Sequence, residues 1–256
     1  MTQTQREKRD DYTKRLTKKK GLTPTQKARL EELKEKAARE PELSQGAKTY
    51  IKEVWLKYEK GFEEEITSKQ TRKGQQAEED AINLISIVDG YMYTKNKKRV
   101  KKNNLSGECD VNTYFDVVEQ RIIDDLKCSW NPKTFMMTNF SSLEEWQGRA
   151  YMYLYDADIF RLRRCLVDCP PDVYADEFKK FCWANQIIDS NEDNEEYKPM
   201  IEQFKRNFLY EHSGNYTKEE RVKTFAFYRD LELEKILLKS IELSLEYYKT
   251  ITLNMI

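Results

Sequence analysis

The 256-residue chain has one histidine, His212, five cysteines and eight glycines. Nowhere does it show a run of roughly 18 apolar residues that could cross a bilayer. A single histidine excludes a zinc site of the HExxH kind, a mixed Cys/His finger and any hydrolase built on several imidazoles. A Ser or Cys nucleophile with a histidine base would have to use His212 itself, which lies in the polar, turn-like run Glu211–Asn215. A solvated loop histidine is the stronger of those two readings. An odd number of cysteines in a long, Lys-rich chain points to free thiols in a reducing compartment. The N-terminal residues Met1–Arg6 lack the apolar stretch of a secretory signal. No membrane is expected, and the cytoplasm is the expected location. Net charge offers no surplus of one sign either, with 45 basic and 45 acidic side chains.

What is present is a core-forming supply of aromatics, 16 Tyr, 11 Phe and 4 Trp, which excludes global disorder. The charge is unevenly spread. Residues 1–40 carry 13 basic and 7 acidic side chains, and Lys95–Lys102 holds six basic residues in eight positions. Residues 1–45 therefore read as a basic helical N-terminal arm and 46–256 as the main domain. In the arm, Thr23-Pro24-Thr25-Gln26 is a capping box with proline in the first turn, followed by Leu30, Leu33 and Ala37 at helical spacing. A second helix is expected over about 47–66 with Tyr50, Val54, Tyr58 and Phe62 as its inward face. The basic stretch Ser68–Gly74 reads as a turn, and a third helix over about 75–88 has Ala81, Leu84, Ile85 and Val88 as its apolar stripe.

Beyond Tyr91 the period changes to that of strands. Leu105–Val111 reads as one strand and Arg121–Cys128 as its antiparallel neighbour. Ser142-Leu143-Glu144-Glu145 reads as a capping box opening a helix to about 158. Further elements are a strand from Phe160 to Asp168, a helix near 172–188, an acidic loop over 191–196, a strand over 221–229 and a long helix from Leu231. The chemistry is carried by Asp125-Leu126-Lys127 and Asp110. Strand alternation puts Asp125 and Lys127 on one face, with Asp124 and Leu126 on the other. A hairpin can bring Asp110 beside Asp125. Two converging carboxylates repel unless a cation lies between them. Mg²⁺ suits an oxygen-only site with room for a phosphate oxygen, and a lysine on the same face can offset charge that builds up there. Gly74-Gln75-Gln76-Ala77-Glu78-Glu79 places acids in the first turn of a helix just after Arg72-Lys73, a natural phosphate seat. Glu78 could close the site from the opposite wall, with Glu79 as its rival.

Gly-Gln-Gln-Ala-Glu78, then Gly107-Glu-Cys-Asp110, then Ile-Ile-Asp-Asp125-Leu-Lys127-Cys-Ser-Trp130 resemble the PD-(D/E)XK nuclease superfamily, and within it the phage lambda-exonuclease-like and YqaJ-type recombination exonucleases. The segment Glu145-Trp146-Gln147-Gly-Arg-Ala-Tyr151 is similar to the glutamine-bearing helix that follows the core motif in that family. The likeness covers roughly residues 68–168 and does not explain the first 45. It implies an α/β fold with a restriction-endonuclease-like core, a central mixed β-sheet flanked by helices. It implies Asp110, Asp125, the Leu126 carbonyl and Glu78 as metal ligands for Mg²⁺, with Mn²⁺ as a substitute. It implies Lys127 as the residue that activates or positions water, and Gln147 as its organiser. It further implies 5′-to-3′ exonuclease action on linear double-stranded DNA with free ends, in recombination or DNA processing, in a bacterial cytoplasm or a phage-infected host cell. A single-strand annealing protein and a homo-oligomer, a ring trimer, are the partners that go with it. Cys109 replaces the proline usual before the first aspartate, and Asp125 stands where many members have glutamate.

Arg72, Lys73, Lys97, Lys98, Arg99 and Lys101 are the expected DNA-backbone contacts. Trp130 reads equally as a base-stacking platform or as a hydrophobic structural residue. No iron–sulfur cluster is expected: Cys109 and Cys128 should turn away from the site to the sheet's far side, and Cys165, Cys169 and Cys182 lack cluster spacing. Two alternatives stand beside the exonuclease: a restriction-like or structure-specific endonuclease of the same fold, and a catalytically silent DNA-binding or recombination-partner protein.

Overall fold

A computed structural model describes residues 8–11, 23–38, 42–64, 68–187 and 195–254. The acidic loop expected from 191 lies largely outside the described residues. Contacts divide the chain into two compact units, Met1–Gly61 with Leu238–Ile256, and Phe62–Leu237. The expected boundary at residue 45 thus falls at 61, and the end of the last helix joins the N-terminal unit.

In the first unit, α1 (Pro24–Ala38) begins at the anticipated box: the Thr23 amide donates to Gln26 Oε1 at 3.0 Å, and the Gln26 amide to Thr23 Oγ1 at 3.3 Å. Helix α2 (Gln45–Lys60) is capped by Ser44 and stops at Gly61, whose φ of 68° suits glycine. Its inward face is not the aromatic stripe. Tyr50 and Tyr58 are 66% and 74% exposed, whereas Ile51 and Trp55 are buried. The stripe fails because Trp55 Nε1 donates to Thr252 Oγ1 at 3.0 Å, turning the adjacent face inward toward the C-terminal helix. Phe62 lies past the helix end.

The second unit opens with two short helices, α3 (Lys69–Gln76) and α4 (Glu78–Asp89), which replace the expected turn and single helix. Ser68 caps α3 by accepting from the Thr71 amide, a local bond that outweighs the basic, turn-prone composition. The expected strand Leu105–Val111 is broken. Strands β1 (Val100–Lys102) and β2 (Leu105–Gly107) form a separate two-stranded hairpin, and β3 (Val111–Phe115) starts after Asp110. Antiparallel β4 (Gln120–Cys128) follows; α5 (Pro132–Met137) and α6 (Ser142–Tyr155) then cross over to β5 (Ile159–Cys165), parallel to β4. After α7 (Pro171–Ala184) and α8 (Lys198–Arg206), β6 (Val222–Tyr228) completes a mixed sheet in the order β3-β4-β5-β6, and α9 (Leu231–Asn254) ends the chain. Among the described residues, no helix is long and apolar enough to cross a membrane.

Both sheet faces are covered. On one, Ala77, Ala81, Leu84 and Ile85 of the α4 region pack on Val111, Leu126 and Cys165. On the other, Met152 and Leu154 of α6 pack with Ile123, Phe160, Leu162 and Phe227. Helix α6 approaches β5 so closely that a Cβ on Gly148 would lie 2.5 Å from the Phe160 ring, a contact only glycine permits. The capping box of α6 is one residue earlier than expected. Ser141, not Ser142, is the cap, and Glu144 is its partner, because Glu145 turns inward to pair with Arg149 at 3.0 Å.

Candidate active site

The hairpin β3–β4 builds the centre. Val111 pairs with Asp124, so the next pair outward sets Asp110 against Asp125. Asp110 has left the ladder. Its Oδ2 accepts from the Leu126 amide at 2.5 Å, and its carbonyl accepts from the Asn96 amide at 2.7 Å. Lys127 places its ammonium 2.7 Å from Asp125 Oδ2. That ion pair is the contact that holds the two groups of the Asp-x-Lys motif together on one face.

The electrostatics describe a site short of positive charge. Burial raises the Asp110 carboxyl, and the neighbouring Asp125 carboxylate adds to this, pushing it up to about 7. Burial also raises Asp125, against the opposing pull of Lys127. Burial would lower Lys127, but Asp125 and then Asp110 outweigh it and hold the amine above its ordinary value, as an ammonium. Glu78, at the start of α4, adds its charge to both aspartates and pairs with Lys95 at 2.9 Å. Glu79, one residue on, is exposed.

From α6, Gln147 Nε2 donates to the Tyr151 hydroxyl at 3.2 Å, and Tyr151 lies in the field of Asp125, Asp110 and Lys127. The sequence reading singled out Gln147 and passed over Tyr151; its i+4 spacing from Gln147 was the available signal. The fold therefore brings Asp110, Asp125, Leu126 and Lys127 together, with Glu78, Gln147 and Tyr151 around them. Among the described residues, no three His, Cys, Asp or Glu side chains converge tightly enough to enclose an ion unaided. The two facing carboxylates, one of them buried with a lysine beside it, nonetheless fit a hard divalent cation that would take its remaining ligands from water and substrate.

A stability prediction follows from Asp110. Its folded-state pKa lies above the unfolded value, so the proton it retains stabilises the fold at low pH. That contribution is lost as pH rises through about 7. Asp110→Asn is expected to stabilise the metal-free protein at pH 8 by about 2 kcal/mol, allowing for partial exposure. The corresponding rise in Tm is about 4–8 °C, and it should shrink at pH 5. Melting curves at the two pH values without divalent ions check this; an equal gain at both would remove the ionic explanation.

The basic residues separate. Lys97, Lys98, Arg99 and Lys101 are exposed on the segment that runs into β1. That segment is tied to the centre by the Asn96–Asp110 bond and by the bridge of Lys95 to Val111. Lys73 must be corrected. It is 0% exposed, donates to the Trp130 carbonyl at 3.2 Å and sits 5.5 Å from the centroid of Tyr210, so DNA cannot reach it. Burial lowers its pKa. Arg72 is held by Asp172 at 2.7 Å and Asp176 at 2.8 Å. Trp130 packs edge-on against Phe208 at 5.4 Å with Lys69 over its ring at 4.9 Å, the structural one of its two readings.

The cysteines are also divided. Cys128 turns to the α4 side, opposite Lys127, but Cys109 joins the α6-side cluster on the face of Asp125, contrary to expectation, because Asp110 interrupts the strand alternation. Burial pushes both thiols up to about 12. His212, with Lys205, Arg206, Ser213 and Asn215, lines a separate cavity of about 330 Å³ that none of the site carboxylates borders.

Directly behind the centre lies a network that the sequence reading missed. Asp124 is 0% exposed and receives Arg161 Nε at 2.7 Å and Arg163 Nε at 2.9 Å. Arg163 also donates to Asp89, which accepts from the Tyr93 hydroxyl at 2.7 Å.

The fold is a mixed α/β sheet with helices on both faces, carrying paired carboxylates and a lysine on the hairpin at one edge of the sheet. Among solved structures, a phage-related exonuclease from Haemophilus somnus 129PT shares it, with 22% identity over 84% of this chain and 86% of that one and a TM-score of 0.62. An alkaline exonuclease from Laribacter hongkongensis overlays at a TM-score of 0.47 and 14% identity, covering 84% of this chain and 90% of that one. No family model matches the chain, and no curated protein matches it.

Proposed function

We propose that the protein is a Mg²⁺-dependent deoxyribonuclease, acting as an exonuclease on linear double-stranded DNA. The observation that carries this reading is the meeting of Asp110 and Asp125, both with raised pKa, beside the ammonium of Lys127. The shared fold with a phage-related exonuclease supports it. Asp110, Asp125 and Glu78 would hold the ion, with the Leu126 carbonyl beside them. A bound divalent cation supplies positive charge to a phosphoryl oxygen. Lys127, charged rather than neutral, orients the attacking water and offsets charge on the phosphate. Gln147, bonded to the Tyr151 hydroxyl, would help organise the water or the lysine. Lys97, Lys98, Arg99 and Lys101 supply a track for the DNA backbone, with affinity that falls as salt rises.

The test is digestion of one plasmid sequence as a linear duplex and as a covalently closed circle, with Mg²⁺, with Mn²⁺ and with EDTA. Loss of the linear form alone, only with divalent ion, is the expected result. Cutting of the circle would make the protein an endonuclease. Intact DNA in every tube would remove the hydrolytic reading.

A further inference from the structure

The sheet face that bears Asp125 and Lys127 also carries a buried cation. Arg164 on β5 is the register partner of Lys127 on parallel β4. Phe160 and Leu162, four and two residues before Arg164, lie in the α6-side cluster with Ile123, so alternation puts Arg164, Asp125 and Lys127 on one face. Arg164 is only 7% exposed. Its Nη2 donates to Glu144 Oε1 at 2.6 Å and to the Asn139 carbonyl at 3.2 Å, while its buried Nε has no partner.

Glu144 is held at both oxygens. Its Oε2 accepts from the Ser141 amide and the Ser141 hydroxyl, each at 2.8 Å, closing the N-terminus of α6. Burial alone would raise its pKa, but the Ser141 bonds and the Arg164 charge hold the carboxyl below its usual range. Gln147 and Tyr151 follow Glu144 at i+3 and i+7, on the same helical face, with Gly148 letting that face close on Phe160. Glu144 is thus the point where the helix bearing Gln147 and Tyr151 is tied to the strand next to Lys127. A buried ion pair of this kind adds little net stability compared with apolar packing, but it admits few alternative geometries.

We propose that Arg164, acting through Glu144, is a positioning residue for the hydrolytic centre, setting α6 so that Gln147 and Tyr151 meet Lys127 and Asp125. The proposal rests on the nuclease reading above. Arg164 touches neither the ion nor the DNA in this scheme, which separates it from a phosphate-binding arginine.

The experiment compares wild type, Arg164→Gln, Arg164→Lys, Glu144→Gln and the Arg164→Gln/Glu144→Gln double variant. It reads kcat on linear duplex, Kd for the same duplex in EDTA, and Tm. Arg164→Gln should lower kcat about 10- to 100-fold, the scale of a small misplacement of catalytic groups, with Kd within about threefold. Arg164→Lys should restore most of the lost turnover. The double variant should be no slower than Arg164→Gln, because both changes cut one link. If Arg164→Gln fails to fold, Glu144→Gln, which keeps a capping side chain at that position, carries the same kcat expectation. Unchanged kcat with a lowered Tm would reduce the pair to a structural staple and overturn the proposal. A weakened Kd with unchanged kcat would overturn it in favour of a DNA contact, and multiplicative losses in the double variant would also count against it. Inactive wild type would instead sink the nuclease reading.

Discussion

Lys127→Ala is expected to lower DNA hydrolysis by about 10³-fold, the scale of removing one charge-stabilising group from a preorganised site. The ammonium lies 2.7 Å from Asp125 and is held above its ordinary pKa. Removing it therefore has two consequences. In the proposed reaction the phosphate would lose the charge of Lys127, and Asp125 would lose the ammonium that lies 2.7 Å from its Oδ2. DNA affinity should change little, because the exposed basic segment Lys97–Lys101 is untouched. Steady-state rates on end-labelled linear duplex, together with Kd in EDTA, check both halves. A variant that keeps more than a tenth of the wild-type rate would mean that Lys127 is not part of the reacting site.

Asp124→Ala is expected to destabilise the protein by about 3–5 kcal/mol, the cost of leaving buried charges unpaired. In this case two guanidinium groups, Arg161 and Arg163, would lose the carboxylate they share. For a chain of this size the loss corresponds to a fall in Tm on the order of 10 °C. Asp125→Asn should behave in the opposite way, abolishing activity while raising Tm in metal-free buffer. It removes one of two repelling carboxylates, whereas Asp124→Ala removes a counter-ion. Melting curves of the two neighbouring variants decide this, and a similar sign for both would contradict the division of labour between the two faces of β4.

The contrast between these adjacent residues shows how much of the site was legible in the chain. Strand periodicity alone put Asp125 and Lys127 on one face and Asp124 on the other, and the antiparallel pairing of Val111 with Asp124 brings the neighbouring Asp110 close to Asp125. The capping box at Thr23 and the apolar stripe of Ala81, Leu84 and Ile85 were legible for the same reason. These are interactions among residues a few positions apart, so local spacing specifies them.

What was not legible involves partners distant in sequence. Lys73 looked like a surface cation beside Arg72, yet it is enclosed by Trp130 and Tyr210, residues 57 and 137 positions further on (130 − 73 and 210 − 73). Periodicity picked the face of Tyr50, Val54 and Tyr58 in α2, yet Ile51 and Trp55 are the buried ones, with Trp55 bonded to Thr252, 197 positions away. A one-residue difference between Ser141 and Ser142 as the cap turned on whether Glu144 or Glu145 faced inward, which was decided by Arg149 and Arg164.

By itself, the sequence determined the α/β class of the core, the face-sharing of Asp125 with Lys127, and a residue inventory with a single histidine. Those properties depend on backbone period and residue inventory, which are local. The tertiary structure alone decided which charges are structural and which are free to act. A carboxylate among two arginines and a carboxylate facing another carboxylate are chemically identical until the register of β3, β4 and β5 assigns their neighbours. Burial then strengthens both the attraction at Asp124 and the repulsion at Asp125.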